Sequence, residues 1–126
     1  AATDKRRLAM VVNLDTMGST LAPPNPYRPD FLIALGGKPY SKALEALDYG
    51  SPLRLYYDYY RSKSFTDYFY RKASDQAPFL RKGLPCVMFT SGITMNTNKT
   101  TDTAGTLDYE VLDRRARLVL SWLNSL

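Results

Sequence analysis

The chain predicts an α/β fold, with a mixed, mostly parallel sheet flanked by helices. Short runs of strand formers ("MVVNL", "FLIAL", "LPCVMFTSG") alternate with segments of helical character. The C-terminal segment repeats apolar residues at three- and four-residue spacing, and Gly or Pro punctuates the junctions. With 126 residues, 44% of them hydrophobic and 23% charged, a single domain with a real core is expected over 1–126.

"RLAMVVNLD" (7–15) has no helical period and reads as an inner strand covered on both faces, ending at Asp15. The four prolines of "STLAPPNPYRPD" (19–30) make it a loop. "FLIAL" (31–35) is the second strand, stopped by Gly36-Gly37. Pro39 suits the first turn of a helix with Ala43, Leu44, Ala46 and Leu47 inward and Gly50 as its stop. "LRLYYDYY" (53–60) is rich in strand formers, and 61–67 reads as a polar connection. Ser74 or Asp75 can cap a short helix ending at Gly83. A buried strand over 84–92 precedes the loop "MNTNKTTDTAGT", and Asp108 caps a helix reaching the C-terminus. In that helix Val111, Leu112, Leu118, Val119, Trp122, Leu123 and Leu126 form a wide apolar stripe, with Arg114, Arg115 and Arg117 mostly on the outer side. Asp15 and the 90–103 loop both follow strand ends, where ligands gather in open α/β sheets, so they are expected to line one crevice.

Composition narrows the chemistry. The chain has no histidine, which excludes a histidine-based nucleophile and makes a zinc site built by this chain alone improbable. It also lacks a glycine-rich or lysine-bearing phosphate loop, so by itself it is not a recognisable catalyst. The formal net charge of +5 comes from interspersed basic pairs, among them Arg71-Lys72 and Arg81-Lys82, which read as solvated faces; no nucleic acid is expected as a partner. Cys86 sits in "LPCVMF" as a small buried hydrophobe, and no apolar run is long enough for a membrane span. The absence of an initiator Met suggests a fragment or processed product.

Three segments follow in order: "VVNLDTMGS" (11–19), "ASDQAPFLRKGLPCVMFTSG" (73–92) and "NKTTDTAGTLDYEVL" (98–112). Together they resemble the C-terminal half of the co-catalytic zinc aminopeptidases of the leucyl aminopeptidase and glutamate carboxypeptidase-like family. That family shows Asn-Leu-Asp-Met-Ile-Gly at a strand end, then Ser-Asp-His with a Phe and Gly-Ile-Pro, then His-Thr-Pro-x-Asp-Thr before the last helix. The resemblance covers nearly the whole chain. It implies a zinc-exopeptidase (phosphorylase/hydrolase-like) architecture that is incomplete here, in a parent that removes N-terminal residues from peptides.

Carried over position by position, the resemblance makes Asp15 a zinc ligand at the carboxyl end of a strand. Asn98 falls where the family has its last histidine ligand, and an amide oxygen is a poor substitute for imidazole, so a second zinc is expected to bind weakly or not at all. Asp102 matches the Asp-Thr pair and reads as loop architecture. Asp75 matches Ser-Asp-His, with Gln76 replacing the histidine, and reads first as a helix cap. Tyr70 lies near the position of a tyrosine donor to the tetrahedral intermediate, at a different offset, with aromatic packing as the competing role. The family's first histidine ligand, bridging aspartate and Glu-Glu pair precede the Asp15 position, and no counterparts occur here; this chain holds no catalytic residue by that measure and is expected to be inactive alone.

The resemblance implies a peptide substrate, the N-terminal half of the same domain as a partner, and an exported or periplasmic parent. A truncated sheet should self-associate. Because of Asn98, a catalytically inactivated, binding-only parent is an alternative. A second alternative is an aromatic and basic module for nucleic acid or sugar built on "LYYDYYRSKSFTDYFYRK" (55–72), within which Asp58 and Asp67 would repel phosphate.

Overall fold

The computed structural model describes residues 7–48, 51–92 and 97–126. Its centre is a four-stranded sheet formed by β1 (Val11–Leu14), β2 (Phe31–Leu35), β3 (Arg54–Tyr56) and β4 (Cys86–Thr90), in the order β1-β4-β2-β3. β1 pairs with β4 in parallel, β2 with β4 antiparallel, and β2 with β3 in parallel. The sheet is therefore mixed and mostly parallel, as the alternation of strands and helices predicts. Because β2 runs against β4, the carboxyl ends of β1 and β4 lie beside the amino ends of β2 and β3.

Helices α1 (Ser41–Leu47) and α4 (Tyr109–Ser125) cover one face, where Leu44, Leu118, Val119 and Trp122 pack on Leu32, Ala34, Leu55, Val87 and Phe89. The other face carries Phe31, Ile33, Leu35 and Met88 beneath Tyr59, with Tyr60, Phe69 and Tyr70 packed around them. Phe69 and Tyr70 come from α2 (Lys63–Arg71), and α3 (Ala77–Arg81) leads into β4. Period-two alternation in β2 sends successive side chains to opposite cores, and all five of its residues are fully buried. Cys86 is buried and free. Among the described residues no helix is long and apolar enough to cross a membrane.

Several expectations are corrected. β1 is an edge strand of half-buried residues, with Leu14 53% exposed, instead of an inner strand covered on both faces. Its apolar run packs on one side only, through Met10 and Val12. The strand foreseen over 53–60 stops at Tyr56; Tyr57 packs against the first face, and Tyr60 and Arg61, with φ of 52° and 60°, turn the chain with Tyr59 and Tyr60 on the second face. The polar stretch 61–67 is largely helical: the Ser62 side chain caps α2 by accepting from the Phe65 N–H at 3.3 Å. In α1 only Leu44 is buried, while Ala43, Ala46 and Leu47 are exposed on a short helix that touches the core with a single residue. Gly50 lies outside the described residues. Neither Ser74 nor Asp75 caps α3 through its side chain. In α4, Asp108 caps as expected, accepting from Val111 N–H at 3.2 Å, but Arg115 points inward and is fully buried, while Leu123 and Leu126 are exposed.

Partly buried tyrosines on both faces of the sheet have a consequence in alkali. Burial raises the hydroxyl pKa of Tyr57, helped by the Glu45 carboxylate, and that of Tyr70; burial, with Tyr59 adding to it, pushes Tyr60 up to about 12. An acid whose folded pKa exceeds its unfolded value of about 10 lends stability that is complete below pH 10 and lost as pH rises through the folded values. An absorbance titration of phenolate is therefore expected to show these three of the ten tyrosines ionising late, and with unfolding. A single step near pH 10 for all ten would contradict this packing.

Candidate functional site at the Asp15 corner

Asp15 directly follows β1, and its N–H donates to Phe89 O at 3.0 Å, continuing the ladder one step past the strand. The carboxylate thus stands at the carboxyl end of adjacent parallel strands. Thr16 then adopts φ 55°, which for a β-branched residue costs about 1–2 kcal/mol and needs outside support. A hydrogen-bond chain supplies it: Gly92 N–H donates to Thr90 Oγ1 at 3.0 Å, the Thr90 and Thr16 hydroxyls meet at 2.7 Å, and Thr16 Oγ1 donates to Asp15 O at 2.7 Å. Ser91 closes the corner through its N–H to Thr16 O at 2.8 Å and through its hydroxyl to the same oxygen. Such connected polar groups at low local dielectric reinforce one another and hold one backbone geometry.

The Asp15 side chain is held from the second face of the sheet. Ser74 Oγ donates to Asp15 Oδ2 at 2.6 Å, and Ser74 in turn accepts from Asn13 Nδ2 at 2.8 Å. Asn13 Nδ2 also donates to Gln76 Oε1 at 2.8 Å, and Gln76 Nε2 donates to Phe69 O at 3.1 Å and Tyr70 O at 2.7 Å. Gln76 is fully buried, so the amide is a structural brace between the end of α2 and β1. The segment 73–76 serves the Asp15 carboxylate through Ser74, while Asp75 points to solvent. Asn13 could be inferred from sequence, since period two puts it on the same side of β1 as Asp15. The Ser74 contact could not, because it is long-range.

Residues just after Asp15 and residues of the C-terminal loop line a common cleft of about 150 Å³, with Thr16, Met17 and Gly18 on one side and Ser91, Gly92, Thr97 and Asp102 on the other. Leu21 and Leu107 give it an apolar lining. Asp15 borders this cleft in sequence but turns its carboxylate to Ser74. Asp102 lines the cleft, and its N–H closes a turn on Lys99 O at 3.0 Å. Asn98 is exposed with φ 60°, a conformation that asparagine tolerates better than most residues. Residues 93–96 of the loop lie outside the described residues.

The structure does not bring Tyr70 to this corner. Its hydroxyl donates to Cys86 O at 2.7 Å, at the start of β4, whereas Asp15 lies beside the end of that strand, roughly 13 Å away at 3.3 Å per residue. The ring packs in the aromatic core.

Zinc usually takes four ligands, mostly imidazole or thiolate. This chain has no histidine, its one cysteine is buried in β4, and among the described residues no group of three or more His, Cys, Asp or Glu side chains could hold a metal ion. The residues present therefore do not form a zinc site by themselves. What the corner offers is one pre-oriented carboxylate with Oδ2 hydrogen-bonded to Ser74.

A family model described as peptidase family M28 matches residues 1–123 of the chain. No curated protein and no solved structure matches it.

Proposed function

Because the chain belongs to peptidase family M28, a family of zinc-dependent peptidases, we propose that it is the C-terminal portion of an aminopeptidase-like hydrolase of the leucyl aminopeptidase-like kind. In this reading Asp15 is a zinc-ligand position, the complete domain removes N-terminal residues from peptides, and this chain alone does not turn over. The observation that carries it is the hydrogen bond from Ser74 to Asp15 Oδ2: a second residue of the motif set holds the carboxylate, as outer-shell partners of metal ligands do. Aminopeptidase assays with chromogenic N-terminal amides test it. A domain completed by an N-terminal half should show chelator-sensitive turnover that Asp15→Ala abolishes; unchanged turnover in Asp15→Ala would sink the reading.

A second reading, a peptidase-like domain that binds without cleaving, is favoured by Asn98 and Gln76. Both are amides where the resemblance expects histidine, and Gln76 is committed to backbone carbonyls. Intact peptide binding with no turnover in the completed domain would select it. The aromatic and basic module is less supported, since Tyr59, Tyr60, Phe69 and Tyr70 pack in the core of the second face.

β1 also carries the partner proposal. Its outer edge pairs with no strand among the described residues, and Leu14 is exposed there. We assign this edge to the N-terminal half of the domain, and in its absence to a second copy of the chain. Light scattering of the isolated chain is expected to show concentration-dependent dimers or larger species; a monomer across a hundred-fold range would contradict the assignment.

A further inference from the structure

The chain holds five asparagines, at positions 13, 25, 96, 98 and 124, and their neighbours differ in one chemically decisive way. An asparagine is an acceptor for an N-linked glycan when a hydroxyl residue stands two places on and the residue between is not proline. Asn98-Lys99-Thr100 has this pattern. Two places beyond Asn13 stands Asp15, beyond Asn25 stands Tyr27 with Pro26 between, beyond Asn96 stands Asn98, and beyond Asn124 stands Leu126, so the other four lack it.

A pattern of three residues is weak evidence until the fold places it. Here Asn98, Lys99 and Thr100 are all exposed, within a run of turns over 97–101 that belongs to no helix or strand. Asn98 takes φ 60°, a left-handed conformation that asparagine adopts at lower cost than branched residues, and Asp102 N–H closes the next turn on Lys99 O at 3.0 Å. The amide and the hydroxyl two places on thus share one surface turn, where a bulky polar substituent displaces no packed neighbour. Asn13 is the opposite case: it lies in β1, with its amide nitrogen bound to Ser74 and Gln76.

We propose that Asn98 carries an N-linked oligosaccharide in this protein. Attachment requires an exported chain, the route the family resemblance implies, and it is independent of whether the complete domain cleaves peptides. The co-reactant is an oligosaccharide joined through its anomeric carbon to a lipid diphosphate. Asn98 Nδ2 attacks that carbon, the N-glycosidic bond forms as the carbon–oxygen bond to the diphosphate breaks, the lipid diphosphate leaves with the bonding pair, and one amide proton passes to a base of the transferase. Thr97 and Asp102, on either side of the acceptor pattern, line the cleft beside Asp15, whereas residues 98–100 do not. The glycan therefore stands at the rim of the cleft and not within it. At a position where the resemblance expects a histidine ligand, the asparagine has a use that imidazole cannot serve: its amide nitrogen is bonded to sugar and takes no metal.

Two measurements on the full chain test the site: translation into microsomes behind a cleavable secretory signal, and mass spectrometry of the protein from its native source before and after peptide-N-glycosidase. In microsomes the wild-type chain is expected to rise in apparent mass and to lose the rise on glycosidase treatment. Asn98→Gln and Thr100→Ala should each abolish the rise, whereas Thr100→Ser, which keeps the hydroxyl, and Thr101→Ala, just outside the pattern, should retain it. Transfer occurs as the chain enters the microsome, so no variant has to fold for the assay to read it. In the native protein the glycosidase should leave aspartate at position 98. No rise for the wild-type chain, a rise that survives Asn98→Gln, or an unmodified Asn98 in the native protein would overturn the site.

Discussion

Asp30→Ala is expected to lower the unfolding free energy by about 3–5 kcal/mol, a large part of what a domain of this size has. Asp30 is buried at the start of β2, and its Oδ2 accepts from Arg114 Nε at 2.7 Å and lies 2.6 Å from Arg114 Nη2. Its Oδ1 is 4.0 Å from Nε of Arg115, a guanidinium with no solvent exposure. Burial drives the Arg115 pKa down to about 10, against the opposing pull of Asp30, so the side chain is still cationic at pH 7. Arg115 also donates to Met17 O at 2.7 Å and lies over the Phe31 ring. Removing Asp30 would leave this charge in the interior without its counterion. The apolar double variant Asp30→Leu/Arg115→Met should recover most of the loss, because a buried ion pair contributes little beyond a well-packed apolar pair. Urea denaturation decides it: a loss under 1 kcal/mol for Asp30→Ala would show that Arg115 does not depend on Asp30.

In the domain completed by an N-terminal half, where the proposed reading makes Asp15 a zinc ligand, Ser74→Ala is expected to weaken zinc binding by about 10–100-fold while leaving the fold intact, the range found when an outer-shell partner of a metal ligand is removed. The Ser74 hydroxyl fixes one carboxylate oxygen of Asp15 and accepts from Asn13, so its loss frees the carboxylate to rotate and deprives Asn13 of one acceptor. Gln76 Oε1 still receives Asn13, which keeps segment 73–76 in place. Asp75→Ala should change zinc affinity by less than about two-fold, since that side chain points to solvent. If the two variants weaken binding equally, the Ser74 hydroxyl is not what orients Asp15.

The parts of this architecture set by local chemistry were legible in the sequence. β2 and β4 announce themselves as apolar runs, and Asp108 marks the start of α4 by its position before a periodic stripe. The parts set by long-range contacts were not. Arg115 reads as an outward cation because nothing near it in sequence reveals Asp30, 85 positions earlier, as its counterion. The tyrosine run reads as a strand by propensity, yet the strand ends at Tyr56 and the chain turns at Tyr60 and Arg61, with Tyr59 and Tyr60 on the second face. The α2 start was hidden in a polar stretch whose only signal was Ser62 before Phe65. At the candidate site the motif positions of Asp15 and Asp102 could be read in advance, whereas Ser74 as the partner of Asp15 and the separation of Tyr70 from the corner required the folded chain.

Zinc calorimetry on the domain completed by an N-terminal half and on its Asp15→Ala variant, with metal content checked by elemental analysis, tests the central claim most directly. A zinc site in the completed domain that Asp15→Ala weakens or removes is the result expected of a pre-oriented carboxylate ligand. Identical titrations for the two proteins would contradict it and leave Asp15 as a turn residue held by Ser74.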